Sequence, residues 1–72
     1  MKIGDFVTGK LLHEDEIRQG VITAQDDSAV VIRGESGKLY FVETDSTVVV
    51  PDNNLWGDTK AFVVAQRKRM GV

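Results

Sequence analysis

The side chains with the chemistry to bind metals or transfer protons lie in two short acidic stretches. Residues 13–16 read His-Glu-Asp-Glu, and residues 26–28 read Asp-Asp-Ser. Imidazole and carboxylate groups hold a divalent cation when three or more of them converge. Consecutive residues in so polar a stretch are typical of a solvated loop or a turn. We therefore expect no metal site and no cofactor.

Nucleophilic catalysis has less support still. The chain contains no cysteine, which excludes a thiol nucleophile and a disulfide framework. Hydroxyl and carboxyl groups are present, but no pattern orients a nucleophile against a base. We therefore expect a protein that is not an enzyme. The sequence shows neither a secretory leader nor an apolar run near the ~20 residues of a membrane span, so we expect a cytoplasmic protein without a membrane partner.

The basic residues are unevenly distributed and allow a second kind of chemistry. The formal net charge is −2, yet residues 51–72 carry four Lys or Arg against two Asp or Glu. Lys60 and the run Arg67, Lys68 and Arg69 could contact nucleic-acid phosphates, since such affinity comes mainly from neutralised charge. The same run at the end of a helix would instead complement the helix dipole and stay in water. Both interpretations are kept.

Leu55 and Trp56 are adjacent large apolar residues in an Asn-rich stretch. One interpretation places both side chains in the open end of a small barrel, where they close a thin core. The other makes Trp56 a protein-interface residue, because tryptophan is enriched among the residues that dominate binding energy.

Five strands have to position these residues. Runs rich in β-branched and aromatic residues, separated by turn residues, predict strands over 3–8, 18–24, 29–33, 38–43 and 47–50. Residues 34–37 are predicted as a four-residue hairpin loop, and Pro51 ends the last strand. With its one long connection between the first two strands, this spacing predicts a mainly β domain over residues 1–72. We expect a five-stranded SH3-like barrel with a C-terminal extension over 52–72, and an OB-like open barrel is the alternative.

The predicted fourth strand carries apolar residues on both faces. Phe41 lies on one face, and Tyr40 and Val42 lie on the other. We place Phe41 in the core, which leaves Tyr40 and Val42 on the outer face. A sheet face in contact with water would be polar, so either the C-terminal segment or another chain covers the outer face. The predicted protein interface is therefore Tyr40, Val42, Leu55 and Trp56.

The C-terminal segment is predicted as a helix from Asp58 or Thr59 to about Met70. Its apolar stripe would consist of Ala61, Phe62, Val64 and Ala65. Gly71 would close the helix in the left-handed conformation. The run Phe-Val-Val at 62–64 also fits a sixth strand, which is the alternative.

Three segments resemble the opening of KOW-type and other SH3-like barrels. They are Gly-Asp-x-Val at residues 4–7, Gly-Val-Ile at 20–22 and Val-Val-Ile at 30–32, so the resemblance covers about residues 3–43. The Gly-x-x-Lys-Gly element of that family is absent, and the acidic residues 13–16 stand in its place. The resemblance implies a small barrel, and members of the family often contact RNA or ribosomal and polymerase partners.

We therefore expect a non-enzymatic binding module that acts through protein–protein contact or self-association. Its partner would be another protein or a second copy of itself, in the latter case as a dimer. The alternative is a nucleic-acid-associated accessory domain that uses Lys60, Arg67, Lys68 and Arg69.

Overall fold

The computed structural model describes residues 1–72 as five β-strands followed by one α-helix. The elements are β1 (Phe6–Lys10), β2 (Ile17–Gln25), β3 (Ala29–Arg33), β4 (Leu39–Glu43), β5 (Val48–Val49) and α1 (Gly57–Met70). Short 3₁₀ turns, Thr44–Ser46 and Asp52–Asn54, precede and follow β5. All pairings are antiparallel, in one sheet of order β4-β3-β2-β1-β5. The predicted mainly β class with a C-terminal helix is confirmed, and the alternative of a sixth strand is wrong.

The predicted strand bounds agree with the structure at β3 and differ most at β1. Residues 2–5 form a turn: the N–H of Lys2 donates to Oδ2 of Asp5 at 3.0 Å, and the N–H of Asp5 donates to the carbonyl of Lys2 at 3.1 Å. Because this turn uses the residues predicted to open the first strand, β1 begins at Phe6 and extends to Lys10.

The sheet curls into an open barrel whose edges are not joined by a hydrogen-bonded ladder. An isolated antiparallel bridge between Leu11 and Val42 links the end of β1 with β4; beside it, the N–H of Leu12 donates to the carbonyl of Phe41 at 2.9 Å. Gly20 allows β2 to approach the end of β3, because a Cβ at this position would lie 2.3 Å from the carbonyl oxygen of Arg33. A register shift in the second half of β2 marks a bulge, which increases the local twist.

The concave face of the sheet encloses the inner core. Its buried residues are Val7, Leu11, Ile22, Val30, Ile32 and Val42, with Tyr40 packed against them. Since consecutive residues of a strand point to opposite faces, the paired residues Phe6 and Val21 of β1 and β2 point outward.

Helix α1 packs over this outward pair and completes the outer core. The outer core consists of buried Phe6, Val21, Leu55 and Val63, with Val50, Phe62 and Met70 around them. The C-terminal segment therefore covers the outer face at β1 and β2. It does not cover the outer face of β4, the strand for which a covering was predicted, because Leu39 and Phe41 are 51% and 57% exposed.

The buried stripe of α1 differs from the predicted one. The buried and half-buried residues of the helix are Thr59, Phe62, Val63, Gln66, Arg67 and Met70, which follow helical spacing. Ala61, Val64 and Ala65 are exposed, so only Phe62 of the predicted stripe faces inward. The reason is that Val63 packs against the outward pair of β1 and β2. At 14 residues, α1 is not long and apolar enough to cross a membrane.

Glycines set both ends of α1. Gly57 has a φ of 65° where the chain turns into the helix, and Gly71 has a φ of 76° where it ends, as predicted for Gly71. The residue that precedes the helix is Trp56, which provides no side-chain cap. Asp58 and Thr59 lie inside the first turn, so the predicted N-cap is wrong.

Arg67 anchors α1 to two other parts of the chain. Its Nε donates to the carbonyl of Gly4 at 2.7 Å, and its two terminal nitrogens donate to the carboxylate of Asp52 at 2.9 and 2.8 Å. The hydrogen bonds from Arg67 are the main reason why the pKa of the Asp52 carboxyl lies below its usual range. One side chain thereby joins the N-terminal turn, the segment after β5 and the helix.

The predicted faces of the fourth strand are reversed. Arg33 pairs with Leu39 and Val31 pairs with Phe41, so the β3–β4 loop spans residues 34–38 instead of 34–37. A difference of one residue in register moves every side chain to the other face. Phe41 is therefore 57% exposed, whereas Val42 is completely buried. The prediction that Phe41 lies in the core is wrong.

The free energy of unfolding of two variants tests the observed register of β4. Ile32→Ala should lower the free energy of unfolding by about 2–5 kcal/mol, because it leaves a cavity in the inner core. Phe41→Ala should lower it by less than about 1 kcal/mol, because the side chain is mostly in water. Urea denaturation at neutral pH measures both changes. If Phe41→Ala lowered the free energy of unfolding as much as Ile32→Ala does, Phe41 would lie in the core and the register described above would be wrong.

Candidate functional site

An open groove lies where the end of β5, the outer face of β2 and the first turn of α1 meet. It has a volume of about 420 Å³. Its lining residues are Phe6, Gln19, Val50, Asn54, Leu55, Trp56, Gly57, Asp58 and Thr59. Phe6, Val50 and Leu55 form the floor, and they belong to the outer core or border it.

The chain between β5 and α1 explains why one large residue enters the floor and the next forms a wall. After the turn at Asp52–Asn54, Leu55 (φ −94°, ψ 130°) and Trp56 (φ −157°, ψ 166°) are both extended. Successive side chains of an extended segment point in opposite directions. Leu55 therefore packs in the outer core at 7% exposure, and Trp56 stays 80% exposed.

The two residues of this pair thus differ: Leu55 is buried, and Trp56 is exposed. Leu55 is buried, as the first interpretation expected of both residues, but it packs in the outer core and not in the inner core that the barrel encloses. The indole of Trp56 buries little surface within the chain, so the fold does not require it for packing. Trp56 is the most exposed large apolar side chain of the molecule.

The charged groups in the lining of the groove and at its rim are acidic. Asp58 is the one ionisable residue of the lining. The hydroxyl of Thr59 donates to a carboxylate oxygen of Glu35 at 2.7 Å, which brings a second acid from the β3–β4 loop to the rim. Neither Asp58 nor Glu35 forms an ion pair: the three ion pairs of the molecule are Lys10–Glu43, Arg18–Glu16 and Arg67–Asp52.

The other predicted interface residues do not join this groove. Val42 is completely buried in the inner core, so it offers no surface to a partner. Tyr40 is half-buried against the same core, and the guanidinium carbon of Arg18 lies 5.6 Å from its ring centre. Of the four predicted residues, Leu55 and Trp56 line the groove, and only Trp56 presents an exposed side chain.

A second apolar surface involves a residue that the sequence had placed in the core. Phe41 forms one side of a depression of about 490 Å³ that is also lined by Leu11, Leu12, His13 and Glu14. A five-residue β3–β4 loop over 34–38 would have predicted this exposed surface, because Phe41 then falls on the outer face of the sheet. No group of three His, Asp or Glu side chains in the molecule has the geometry of a metal site.

Of the four predicted basic residues, one is bonded within the chain and three are exposed. Arg67 is held by Asp52 and Gly4 and has little freedom to bind a ligand. Lys60, Lys68 and Arg69 are exposed on α1 and form no ion pair. Lys60 and Lys68 are eight residues apart, or about 12 Å along the helix axis. The surface that could meet phosphates is thus smaller than the sequence predicted.

Comparison with known proteins assigns no family. The chain matches no family model, no curated protein and no solved structure. The resemblance of residues 3–43 to KOW-type barrels therefore stays a prediction, and the function is inferred from the geometry of the chain itself.

The division of roles between Leu55 and Trp56 can be measured. Leu55→Ala should lower the free energy of unfolding by about 2–5 kcal/mol, because it removes a buried side chain from the outer core. Trp56→Ala should lower it by less than about 1 kcal/mol. Thermal and urea unfolding, followed by far-UV circular dichroism, measure both variants. A strongly destabilised Trp56→Ala variant would mean that the indole serves the fold and is not free for a partner.

Proposed function

We propose that this chain is a binding module that recognises a protein partner through the Trp56 groove. The observation that carries the proposal is the exposure of Trp56 beside an apolar floor that belongs to the core. The position suits an interface, because tryptophan dominates the binding energy of many protein complexes when its ring becomes buried.

The free energy that a partner would gain by covering Trp56 is large enough to support a role in binding. An aromatic side chain buries 150–250 Å² when it is covered. At about 25 cal/mol per Å², covering Trp56 is worth roughly 4–6 kcal/mol before the costs of association are subtracted. In a chain of 72 residues, this is a substantial contribution that the fold itself leaves unused.

The shape and the lining favour a polypeptide over a small molecule. The groove is open along its solvent side, whereas small-molecule sites bury most of the ligand. Gln19, Asn54 and the uncapped first turn of α1 offer hydrogen-bonding groups that suit a peptide backbone. The lining holds one ionisable side chain and no second group to form an acid–base pair with it, so binding is favoured over catalysis.

The groove is also a better candidate than the Phe41 depression. Both contain an exposed aromatic residue, but Trp56 is the more exposed and the larger. The groove is framed by three elements of regular structure, whereas Leu12, His13 and Glu14 belong to the long β1–β2 connection. Polar groups on a rigid frame fix the orientation of a ligand better than those on a loop.

The proposal predicts peptides whose binding depends on Trp56. Selection from a random peptide library against the wild-type chain should yield binders whose affinity falls at least tenfold in Trp56→Ala. The affinities would be measured by the anisotropy of labelled peptides. Because Trp56 is the single tryptophan, the same peptides should change its fluorescence in the wild-type chain.

Phe41→Ala is the matched control, since it removes an exposed aromatic side chain outside the groove. Its affinity for the selected peptides should equal that of the wild type. If the selected peptides bound weakly to Phe41→Ala and normally to Trp56→Ala, the binding site would be the Phe41 depression. A library that yields no Trp56-dependent binder would contradict the proposal.

A second proposal, nucleic-acid association, is supported by the exposed and unpaired Lys60, Lys68 and Arg69. Three charges on an acidic body would give weak binding that is sensitive to salt. Labelled single-stranded RNA should therefore bind at low ionic strength and lose affinity when all three are changed to Gln, while Lys38→Gln, in the β3–β4 loop, has no effect. The absence of binding at tens of micromolar would remove this proposal.

A further inference from the structure

The charged side chains in the lining and at the rim of the Trp56 groove have one sign. Asp58 lines the groove, and Glu35 reaches its rim through Thr59. No Lys or Arg lines it. Lys60, the next residue of the helix, is exposed and forms no ion pair, and Arg33, at the end of β3, donates to the carbonyl of Gly37 at 2.8 Å. Both cations keep their charge, but neither lies in the lining of the groove.

The start of α1 opposes this charge only in part. The first turn of a helix carries the equivalent of about +0.5 charge and has free N–H groups. No side chain caps these groups here. At the lining and the rim, the carboxylates of Asp58 and Glu35 have a combined formal charge of −2 and outweigh the dipole, so this part of the groove is negative. The free N–H groups can still donate to a neutral acceptor such as a peptide carbonyl.

Trp56 adds a further preference for positive charge. A tryptophan ring attracts a guanidinium or ammonium group placed over its face more strongly than other aromatic rings do. With 80% of Trp56 exposed, the ring face is open to such a group. The indole and the two carboxylates lie at the same groove, so one cationic side chain could stack on the ring and approach a carboxylate.

We propose that the groove binds an extended peptide segment in which an apolar side chain is flanked by lysine or arginine. The inference rests on the proposed function and names the chemistry of its partner. The apolar side chain fills the floor, the peptide carbonyls accept from the first turn of α1, and the cationic side chain meets Trp56 and the two carboxylates. Acidic segments are disfavoured by the same charges.

Three peptides of equal length test the charge preference: acetyl-Arg-Leu-Arg-amide, its citrulline analogue and its glutamate analogue. Citrulline keeps the shape of arginine without its charge. The arginine peptide should bind about tenfold more tightly than the citrulline peptide, and the glutamate peptide should be the weakest. Two-dimensional NMR follows the titrations, because the Trp56 indole and the side-chain amides of Gln19 and Asn54 report on the groove directly.

The double variant Asp58→Asn, Glu35→Gln should reduce the arginine-to-citrulline affinity ratio to about one. The ratio is measured within one variant, so a change in helix stability cancels. Asp45→Asn, in the turn Thr44–Ser46 outside the groove, is the matched control and should keep the wild-type ratio.

The outcomes of the titrations distinguish a wrong partner from a wrong function. If all three peptides shift the groove signals with equal affinity, the cationic partner is wrong while the protein-binding function stands. If the glutamate peptide binds best, the helix dipole dominates and the partner is acidic. If no peptide shifts the groove signals and the library yields no Trp56-dependent binder, both proposals are wrong.

Discussion

Neighbouring residues of a strand point to opposite faces, and in β1 and β2 the residues on both faces are apolar. Val7 and Ile22 enter the barrel, which leaves Phe6 and Val21 outside it. A small open barrel cannot bury this second set by itself. The fold therefore needs a second layer over β1 and β2, and α1 supplies it. The path of the chain after β5, the burial of Leu55 and the position of the groove all follow from bringing that helix onto the outer face.

The two ends of the helix that forms the second layer differ in their side-chain hydrogen bonds to the rest of the chain. At the C-terminal end of α1, Arg67 joins Gly4 and Asp52 through three hydrogen bonds, two of them in a bidentate ion pair. An exposed ion pair of this kind contributes little free energy, but its geometry fixes the orientation of the helix. This use of Arg67 also explains why the basic run at 67–69 is not one binding surface: its first member is a structural residue, and the other two face water.

The sequence predicts the elements better than it predicts their faces. Strand number, the helix and the left-handed Gly71 follow from local residue preferences, because β-branched runs, turn residues and glycine act locally. The faces of β4 depend on whether the β3–β4 loop has four or five residues, and Gly-Glu-Ser-Gly-Lys at 34–38 suits either length. Likewise, composition does not distinguish Leu55 from Trp56, since both are large and apolar. The extended backbone at this point decides which side chain enters the core, and that geometry is set by the attached helix.

The groove occupies the end of α1 that has fewer side-chain hydrogen bonds to the rest of the chain. No side chain caps the first turn, and an exposed hydrogen bond from Thr59 to Glu35 connects that turn with the β3–β4 loop. A ligand in the groove would touch Gln19 on the sheet and Asp58 on the helix at the same time. Its binding would stabilise the contact between the two layers, because any ligand that binds only the folded state adds to the free energy of unfolding. A bound peptide would therefore hold the N-terminal turn of α1 on the barrel, as Arg67 holds the C-terminal turn.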